Sequence, residues 1–259
     1  MRVLFVGDIY GRPGRRIASQ FVPKIREERE IDFVIANGEN AAGGFGITRK
    51  IVHKLTSYKI DCITSGNHVW DRKEIFGYLS ENPKSLLVPA NYPKRVPGLG
   101  FSLYPQGIGV INLLGKFFVD GPVNCPFRIG DEVIKYLRAY TKIILIDFHA
   151  ELTQEKKAIG WYFDGKVSAI VGTHTHVQTA DETILPGGTA YITDVGMTGA
   201  FNSVIGVKKE KSIDWLLKGI PTRFDAAQED IKLNGVIIDI DGSTGKSVSI
   251  ERISSALEI

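Results

Sequence analysis

Short apolar runs, each followed by glycine or polar residues, recur along much of the chain. The runs are Val3–Val6, Ile31–Ala36, Ile60–Thr64, Lys142–Ile146 and Val167–Val171. A short, mainly apolar run is typical of a strand that is buried on both faces of a sheet. Because open α/β sheets place ligands at the carboxyl ends of their strands, we expect the polar residues after these runs to lie together.

Helical spacing fills several of the intervals between these runs. Pro13 suits the first turn of a helix that carries Ile17, Phe21 and Ile25 on one face. Thr48 can cap a second helix, and Asp131–Tyr140 has the pattern of a third. The alternation of strand and helix predicts right-handed crossovers and a largely parallel sheet.

The second half of the chain adds segments that are typical of antiparallel pairs. Thr183–Leu185 with Ala190–Thr193, and Gly235–Ile240 with Lys246–Arg252, have the pattern of hairpins joined by glycine turns. These segments predict antiparallel strands beside the parallel ones.

Residues 71–128 interrupt the pattern. They contain seven prolines and one apolar run at Gly107–Leu114. Such a segment is compatible with edge strands, a long excursion or a small cap. Because no repeat or interdomain linker is present, we predict one domain over residues 1–259, with any cap-like excursion confined to 71–128.

Composition narrows the class of protein. The 259 residues carry a formal net charge of +3, which gives no strong nucleic-acid-binding signature but leaves room for local binding of a small anion. The two cysteines, Cys62 and Cys125, form no Cys-x-x-Cys pair and predict neither a thiolate zinc site nor a disulfide framework. The start lacks a basic leader, and no apolar stretch approaches the roughly 18 residues of a membrane helix. We therefore expect a cytoplasmic protein without membrane contact.

Candidate chemistry gathers directly after the apolar runs. The side chains there are carboxylates, amides and imidazoles, at Asp8, Glu39, Asn40, Asn67, His68, His149, His174 and His176. Four of the five histidines belong to this set, and the fifth, His53, is assigned a structural or surface role in a helix. Taken alone, Ser65-Gly66-Asn67-His68 is more typical of a turn with a hydrogen-bonded histidine, so its interpretation depends on the other members.

These side chains suit divalent cations. The Asn67 amide oxygen is a neutral hard ligand, and Gly66 before it would let the backbone turn beneath an ion. His174 and His176 are two residues apart, so an extended segment would direct both to one side. Oxygen and nitrogen ligands favour iron or manganese, with zinc as an alternative, whereas structural zinc sites are often rich in cysteine. We predict two divalent ions, which roughly 3.5–4 Å apart can hold a phosphate for in-line displacement.

The order and setting of these residues resemble a known family. They match the dispersed motifs of calcineurin-like metallophosphoesterases at Asp8, Gly66-Asn67-His68, His149 and Gly172-x-His174-x-His176. The resemblance implies a four-layer α/β sandwich, with mixed sheets inside and helices outside.

Two departures make the chain similar to the YmdB branch of that family. The usual Asp-x-His opening is Asp8-Ile9-Tyr10, and Glu39 replaces the usual bridging aspartate. Residues 7–15, 36–44 and 147–151 also resemble stretches of that branch. This resemblance implies a phosphodiesterase that hydrolyses cyclic nucleotides, the 2′,3′-cyclic ones above all, by in-line attack of a metal-bridging hydroxide.

The same resemblance implies two ligand sets that share Glu39 as a bridge. The first set is completed by Asp8, Asn40 and His176, and the second by Asn67, His149 and His174. Asn40 would stand in for the histidine that is missing at Tyr10, so the first set should hold its ion more weakly. His68 would stay off the metals and act as the general acid.

Four further residues are secondary candidates. Arg12 and Arg223 could reach a phosphate, although a solvated surface position is the commoner role for such residues. Phe45 lies in a glycine loop and could stack a base, and Glu151 could accept a hydrogen bond from His149. A homo-oligomer, either a dimer or a tetramer, is left open, with Arg223 as one candidate for its interface.

Two other classes of protein compete with this interpretation. An esterase of the SGNH type needs a nucleophilic serine in its first block, where this chain has Asp8 followed by Ile9. A non-catalytic metal-bound nucleotide sensor or RNA-associated regulator would keep the ligands but would not need a proton donor at His68. Metal-dependent hydrolysis that disappears in His68→Ala, with the metals retained, would separate the enzyme from the sensor.

Overall fold

Two β-sheets with helices outside them make up the computed structural model, which describes residues 1–119, 121–220 and 222–257. The strands are β1 (Arg2–Val6), β2 (Asp8–Ile9), β3 (Phe33–Asn37), β4 (Cys62–Thr64), β5 (Phe101–Tyr104), β6 (Ile108–Leu114), β7 (Ile143–His149), β8 (Ala169–Thr173), β9 (Thr183–Ile184), β10 (Ala190–Ile192), β11 (Met197–Ala200), β12 (Ile231–Ile240) and β13 (Ser247–Ala256). The helices are α1 (Gly11–Glu28), α2 (Arg49–Ser57), α3 (Ile75–Leu79), α4 (Pro126–Leu137), α5 (Thr153–Phe163) and α6 (Lys209–Lys218), with a 3₁₀ turn at Asn67–Asp71.

The strands that we expected in one largely parallel sheet are divided between two mixed sheets. The first has the order β2-β11-β12-β1-β3-β4, with β13 paired to β12, and its β1, β3 and β4 are parallel. The second has the order β5-β6-β7-β8-β10-β9, and its four central strands are parallel. Both predicted hairpins are confirmed as the antiparallel pairs β9–β10 and β12–β13.

Successive side chains of β1 pack into different core clusters, and this shows the order of the layers. Val3 and Phe5 share a core cluster with Leu145 of β7, so this cluster lies between the two sheets. Leu4 belongs to a second cluster that includes Ile17 of α1. A third cluster joins β6, β7 and β8 to α4 and α5. The resulting order of helix, sheet, sheet and helix is the predicted four-layer α/β sandwich.

Residues 71–128 contain α3, the β5–β6 hairpin and the first residues of α4. Because β6 pairs in parallel with β7 over seven residues, this hairpin is part of the second sheet. The prediction of a single domain remains a prediction. Within the described ranges, no helix combines the length and apolarity that crossing a bilayer demands.

Candidate metal centre

The carboxyl ends of β1, β3 and β4 meet those of β7 and β8 from the other sheet, and the predicted ligands lie there. The Glu39 Oε2 atom is 2.8 Å from His149 Nε2, and His149 Nε2 is 2.9 Å from His174 Nδ1. One ligand atom from each of these three residues lies within 4.8 Å of the others. Residues more than 100 positions apart in sequence therefore form one cluster of metal-ligating groups.

A second group of predicted ligands adjoins this cluster. The Asn40 Nδ2 atom is 3.2 Å from His176 Nε2 and 3.4 Å from Glu39 Oε2. The same His176 nitrogen is 3.8 Å from Asp8 Oδ1. Tyr10 is nearly buried, and its ring packs edge-on against His176 with 5.6 Å between centroids. Asn40 thus lies between His176 and Glu39, where an amide could replace an imidazole supplied from position 10.

In His149 and His176, the hydrogen bond at the ring nitrogen that faces away from the centre determines which nitrogen carries the proton. His176 Nδ1 lies 2.9 Å from the Ile205 carbonyl, which can only accept, so this nitrogen carries the proton. His149 Nδ1 lies 2.9 Å from the Thr173 hydroxyl, and that hydroxyl donates to Asp147 at 2.7 Å. In neutral His149 and His176 the Nε2 lone pair therefore points into the centre, as a metal ligand requires.

Glu151 supports a different histidine from the one that we predicted. Its Oε2 atom lies 3.0 Å from His174 Nε2, and among the described residues it makes no such contact with His149, so the predicted contact with His149 is wrong. Thr173 and Asp147 occupy that position behind His149 and were missed by the sequence analysis. The sequence did contain a signal for Asp147, because this carboxylate lies within β7, whose other residues are almost all apolar.

Two buried oxygen atoms at the centre lack a partner within the described structure. These are Asp8 Oδ1 and Asn67 Oδ1, and both belong to predicted ligands. Leaving a buried polar group unsatisfied costs about 1–3 kcal/mol, and more when the group is charged. Cations bound at the centre would satisfy these oxygens, so the donor set fits the divalent metals that the sequence predicts.

Three buried carboxyl groups lie at the centre. Asp8, Glu39 and Asp147 have no exposed surface. Burial raises the pKa of Asp8 well above its usual range, and the neighbouring carboxylates raise it further, while His149 opposes them. Burial lowers the pKa of His149, but the surrounding carboxylates outweigh it and raise that pKa to about 9. Burial and His149 lower the pKa of His174 to about 3. A cation would neutralise the carboxylates and compete with a proton on His149.

Gly66 is required for space. Its φ of −153° is accessible to any residue, so the tight turn that we expected is not its reason. A Cβ atom there would lie 2.2 Å from His149 Cδ2 and 2.5 Å from Glu39 Oε1. The backbone between β4 and Asn67 therefore approaches the ligands more closely than any side chain allows.

The loop that carries His174 and His176 is a strained turn. Both residues have positive φ, 99° and 66°, although neither is glycine. Such conformations cost about 1–3 kcal/mol each and persist only where the surroundings hold them. Here Asp194 accepts hydrogen bonds from the Thr175 backbone N–H at 3.1 Å and from its hydroxyl at 2.7 Å. Asp194 is buried, and its charge is matched by the buried ammonium of Lys156 at 2.7 Å.

Lys156→Met should therefore destabilise the protein by roughly 3–5 kcal/mol, because it leaves the Asp194 carboxylate buried without its counter-ion. Urea denaturation measured by far-UV circular dichroism gives the free energy of unfolding. Lys24→Met is the matched control, since the Lys24–Glu28 pair is 62% and 60% exposed and should contribute less than about 1 kcal/mol. Equal stability of the two variants would show that the Lys156–Asp194 pair does not hold the loop.

His68 lies on the open side of the centre. Its side chain is 33% exposed, whereas those of His149 and Glu39 are fully buried. Its Nδ1 atom lies 2.9 Å from Asp71 Oδ2, and its backbone N–H donates to Glu39 Oε1 at 2.7 Å. The ring lines a cleft of about 280 Å³ together with His174, His176 and Glu151, among others. The backbone of His68 thus supports a ligand, while its imidazole is free to contact a bound molecule.

Two residues with simpler roles complete the comparison with the sequence. His53 is exposed on α2 and packs edge-on against Tyr78 with 5.7 Å between centroids, in agreement with its assignment. Ser65 is buried, and its hydroxyl donates to the Leu87 carbonyl at 2.8 Å, so it offers no nucleophile to an esterase.

Comparisons with known proteins extend over nearly the whole chain. A family model described as YmdB-like protein matches residues 4–253. A 2′,3′-cyclic-nucleotide 2′-phosphodiesterase from Bacillus subtilis (strain 168) is 50% identical over 256 residues, which cover 98% of this chain and 96% of the relative. The crystal structure of a hypothetical protein from Thermus thermophilus has a TM-score of 0.91 at 39% identity and covers 99% of both chains. That of a novel phosphatase from Mycoplasma pneumoniae has a TM-score of 0.92 at 36% identity and covers 99% of this chain and 93% of the other.

Proposed function

The chain belongs to the YmdB-like protein family, and we propose that it is a metal-dependent phosphoric diester hydrolase that acts on 2′,3′-cyclic nucleotides. The observation that carries this proposal is a set of three imidazoles beside two buried oxygens that have no hydrogen-bond partner among the described residues; the far nitrogens of His149 and His176 are held by hydrogen bonds, and that of His174 lies 3.0 Å from Glu151. The name of the Bacillus subtilis relative supports the substrate class.

We propose that two divalent ions bind with Glu39 between them. Asp8, Asn40 and His176 would hold one ion, and Asn67, His149 and His174 the other. The 2.9 Å separation of His149 Nε2 and His174 Nδ1 supports this arrangement, because neighbouring ligands about 2.1 Å from one ion lie roughly 3 Å apart. Iron or manganese suits a set of carboxylate, amide and imidazole ligands, and zinc is the alternative.

When bound, two such ions generate a nucleophile from water at neutral pH and neutralise charge on the phosphate. The protein's part is then to position the ester and to supply a proton. His68 lines the cleft beside His174 and His176, so it can reach the leaving oxygen of a bound ester. Asp71 orients the imidazole through the contact between its Oδ2 atom and His68 Nδ1. A sensor would need the ligands but not this exposed pair.

We also propose that the protein is cytoplasmic. Cys62 and Cys125 are both free thiols, which is in keeping with a reducing cytoplasm. A homo-oligomer stays a prediction.

The proposal predicts that activity disappears on exhaustive chelation and returns with iron, manganese or zinc. A panel of 2′,3′-cyclic and 3′,5′-cyclic nucleotides, an aryl phosphodiester and phosphomonoesters should be assayed with each metal. We expect the highest kcat/KM for the 2′,3′-cyclic nucleotides and, from the name of the relative, a 3′-monophosphate as the product. Activity that survives chelation, or a preference for monoesters, would contradict the proposal.

A further inference from the structure

A second, larger cavity adjoins the cleft at the metal centre. It has a volume of about 900 Å³, against about 280 Å³ for the cleft. The two spaces share Phe45 and Phe224 as lining residues, so they adjoin at these rings. A cyclic phosphate with its ribose suits the smaller space, whereas the larger one exceeds the needs of a single phosphate group. A molecule that reaches both would therefore extend beyond the reacting group.

Positive charge is concentrated in this cavity. Four cationic side chains line it against one carboxylate, that of Asp225; they are Arg12, Arg72, Lys208 and Arg223. Within the described part of the chain, none of the four forms an ion pair. The whole chain has a net charge of only +3, so this local excess is a property of the cavity. Unneutralised guanidinium and ammonium groups around a concave surface favour a phosphate ligand.

Two features give the cavity a defined shape. Arg72 donates to the carbonyls of Ala42 and Phe45, at 2.6 and 3.0 Å, and so fixes the glycine loop that carries the Phe45 ring. Phe224 is half-buried and packs edge-on against Trp215. Both rings are half-buried and stand where the two spaces meet, and the accessible face of an aromatic ring at such a point can stack a nucleobase.

The chemistry of the substrate limits where a second phosphate can be. In a nucleoside 2′,3′-cyclic phosphate, both the 2′ and the 3′ oxygens are already bonded to phosphorus. The ribose can therefore be extended only through its 5′ oxygen. With the cyclic phosphate at the metal centre, a group on the 5′ oxygen is the one that can enter the basic cavity.

We propose that this cavity binds a phosphate on the 5′ oxygen of the nucleotide whose cyclic phosphate is cleaved. This inference rests on the proposed function and names its substrate class. Such a phosphate has two sources, a free nucleotide with a 5′-monophosphate and the 3′ end of a short RNA strand. The size of the cavity favours the RNA end, whose further phosphates and bases would also be accommodated.

The test compares kcat/KM for three substrates, namely a nucleoside 2′,3′-cyclic phosphate, the same compound with a 5′-phosphate, and a trinucleotide that ends in a 2′,3′-cyclic phosphate. We expect the 5′-phosphate to raise kcat/KM about 10-fold or more, because hydrogen bonds to charged groups are strong. The gain should shrink as the salt concentration rises. A further gain with the trinucleotide identifies RNA ends as the source, and equal values identify the free nucleotide.

Matched variants assign the gain to the cavity. In Arg12→Ala/Arg223→Ala, the ratio of kcat/KM with and without the 5′-phosphate should fall towards one. In Arg16→Ala/Lys135→Ala, which removes the same charge from exposed residues outside the cavity, the ratio should stay as in the wild type. Equal kcat/KM for both mononucleotides in the wild type, or an unchanged ratio in the first variant, would overturn the inference.

Calorimetric binding of the trinucleotide keeps this inference separate from the proposed function. If no cyclic nucleotide is hydrolysed with any metal, the proposed function fails, yet affinity for the trinucleotide still reports on the cavity. Affinity that is lost in Arg12→Ala/Arg223→Ala and kept in the control supports the inference. Equal affinity in both variants contradicts it.

Discussion

Glu39→Gln should remove both metal ions and reduce kcat by roughly 10³-fold or more, since metal ions supply several kcal/mol of transition-state stabilisation. The carboxylate of Glu39 is buried between the His68 backbone N–H at 2.7 Å and His149 Nε2 at 2.8 Å. Glutamine has the same shape and can keep both contacts, so the fold should survive. Its neutral amide offers only one oxygen, however, and cannot join two cations as a carboxylate does.

Elemental analysis of the purified variant provides the measurement, with an expected fall from about two ions per chain to less than one. Glu81→Gln is the matched control, because Glu81 is exposed and pairs only with Arg49 among the described residues. An unchanged circular dichroism spectrum and melting curve would confirm that the fold is intact. Metal content in Glu39→Gln equal to that of the control would show that Glu39 is not a bridge.

The positions of the candidate ligands could be predicted because one pattern marked them all. Each apolar run ended at a polar residue, and burial on both faces is what makes such runs apolar. The pattern could not divide the runs between two sheets, since a strand buried between two sheets has the same composition as one buried between sheet and helix. Val3 and Leu4 of β1 face different layers and are equally apolar.

Three helices, α3, α5 and α6, were not predicted, and in α5 and α6 the buried positions do not coincide with the apolar ones. The buried residues of α5 include Glu155 and Lys156, so its apolar periodicity is broken. Glu155 accepts a hydrogen bond from the Lys116 backbone N–H at 2.9 Å, and Lys156 pairs with Asp194. In α6, Ser212 is the buried residue, while the apolar Leu217 is 80% exposed. Tertiary contacts therefore explain the buried charged residues of α5.

The contacts that support the histidines could not be predicted from the sequence either. The partner of His176 is the backbone carbonyl of Ile205, and any residue at position 205 would offer the same group. Glu151 contacts His174 and not His149 as we predicted, because the strained turn after β8 brings His174 towards Glu151. Sequence spacing places side chains on a strand or turn, but it does not determine the direction of a ring.

His68→Ala should slow cleavage of a 2′,3′-cyclic nucleotide by roughly 10²–10⁴-fold, which is the usual contribution of a general acid. Both metal ions should remain bound. The contact of His68 with Glu39 is made by the backbone N–H, which alanine keeps, and no atom of its imidazole is among the proposed ligands. As the bond to phosphorus breaks, the ribose oxygen develops negative charge. A donor in the cleft, oriented by Asp71, would stabilise this alkoxide.

An aryl phosphodiester such as a nitrophenyl ester separates this role from positioning. Its phenolate leaves with little need of protonation, so His68→Ala should lose distinctly less activity on the aryl ester than on the cyclic nucleotide. His53→Ala is the matched control, because His53 is exposed on α2, and it should change neither rate nor metal content. If both substrates lose the same factor in His68→Ala, the imidazole positions the phosphate instead of donating a proton. If metal content falls as well, His68 supports the ligands and the assignment as general acid is wrong.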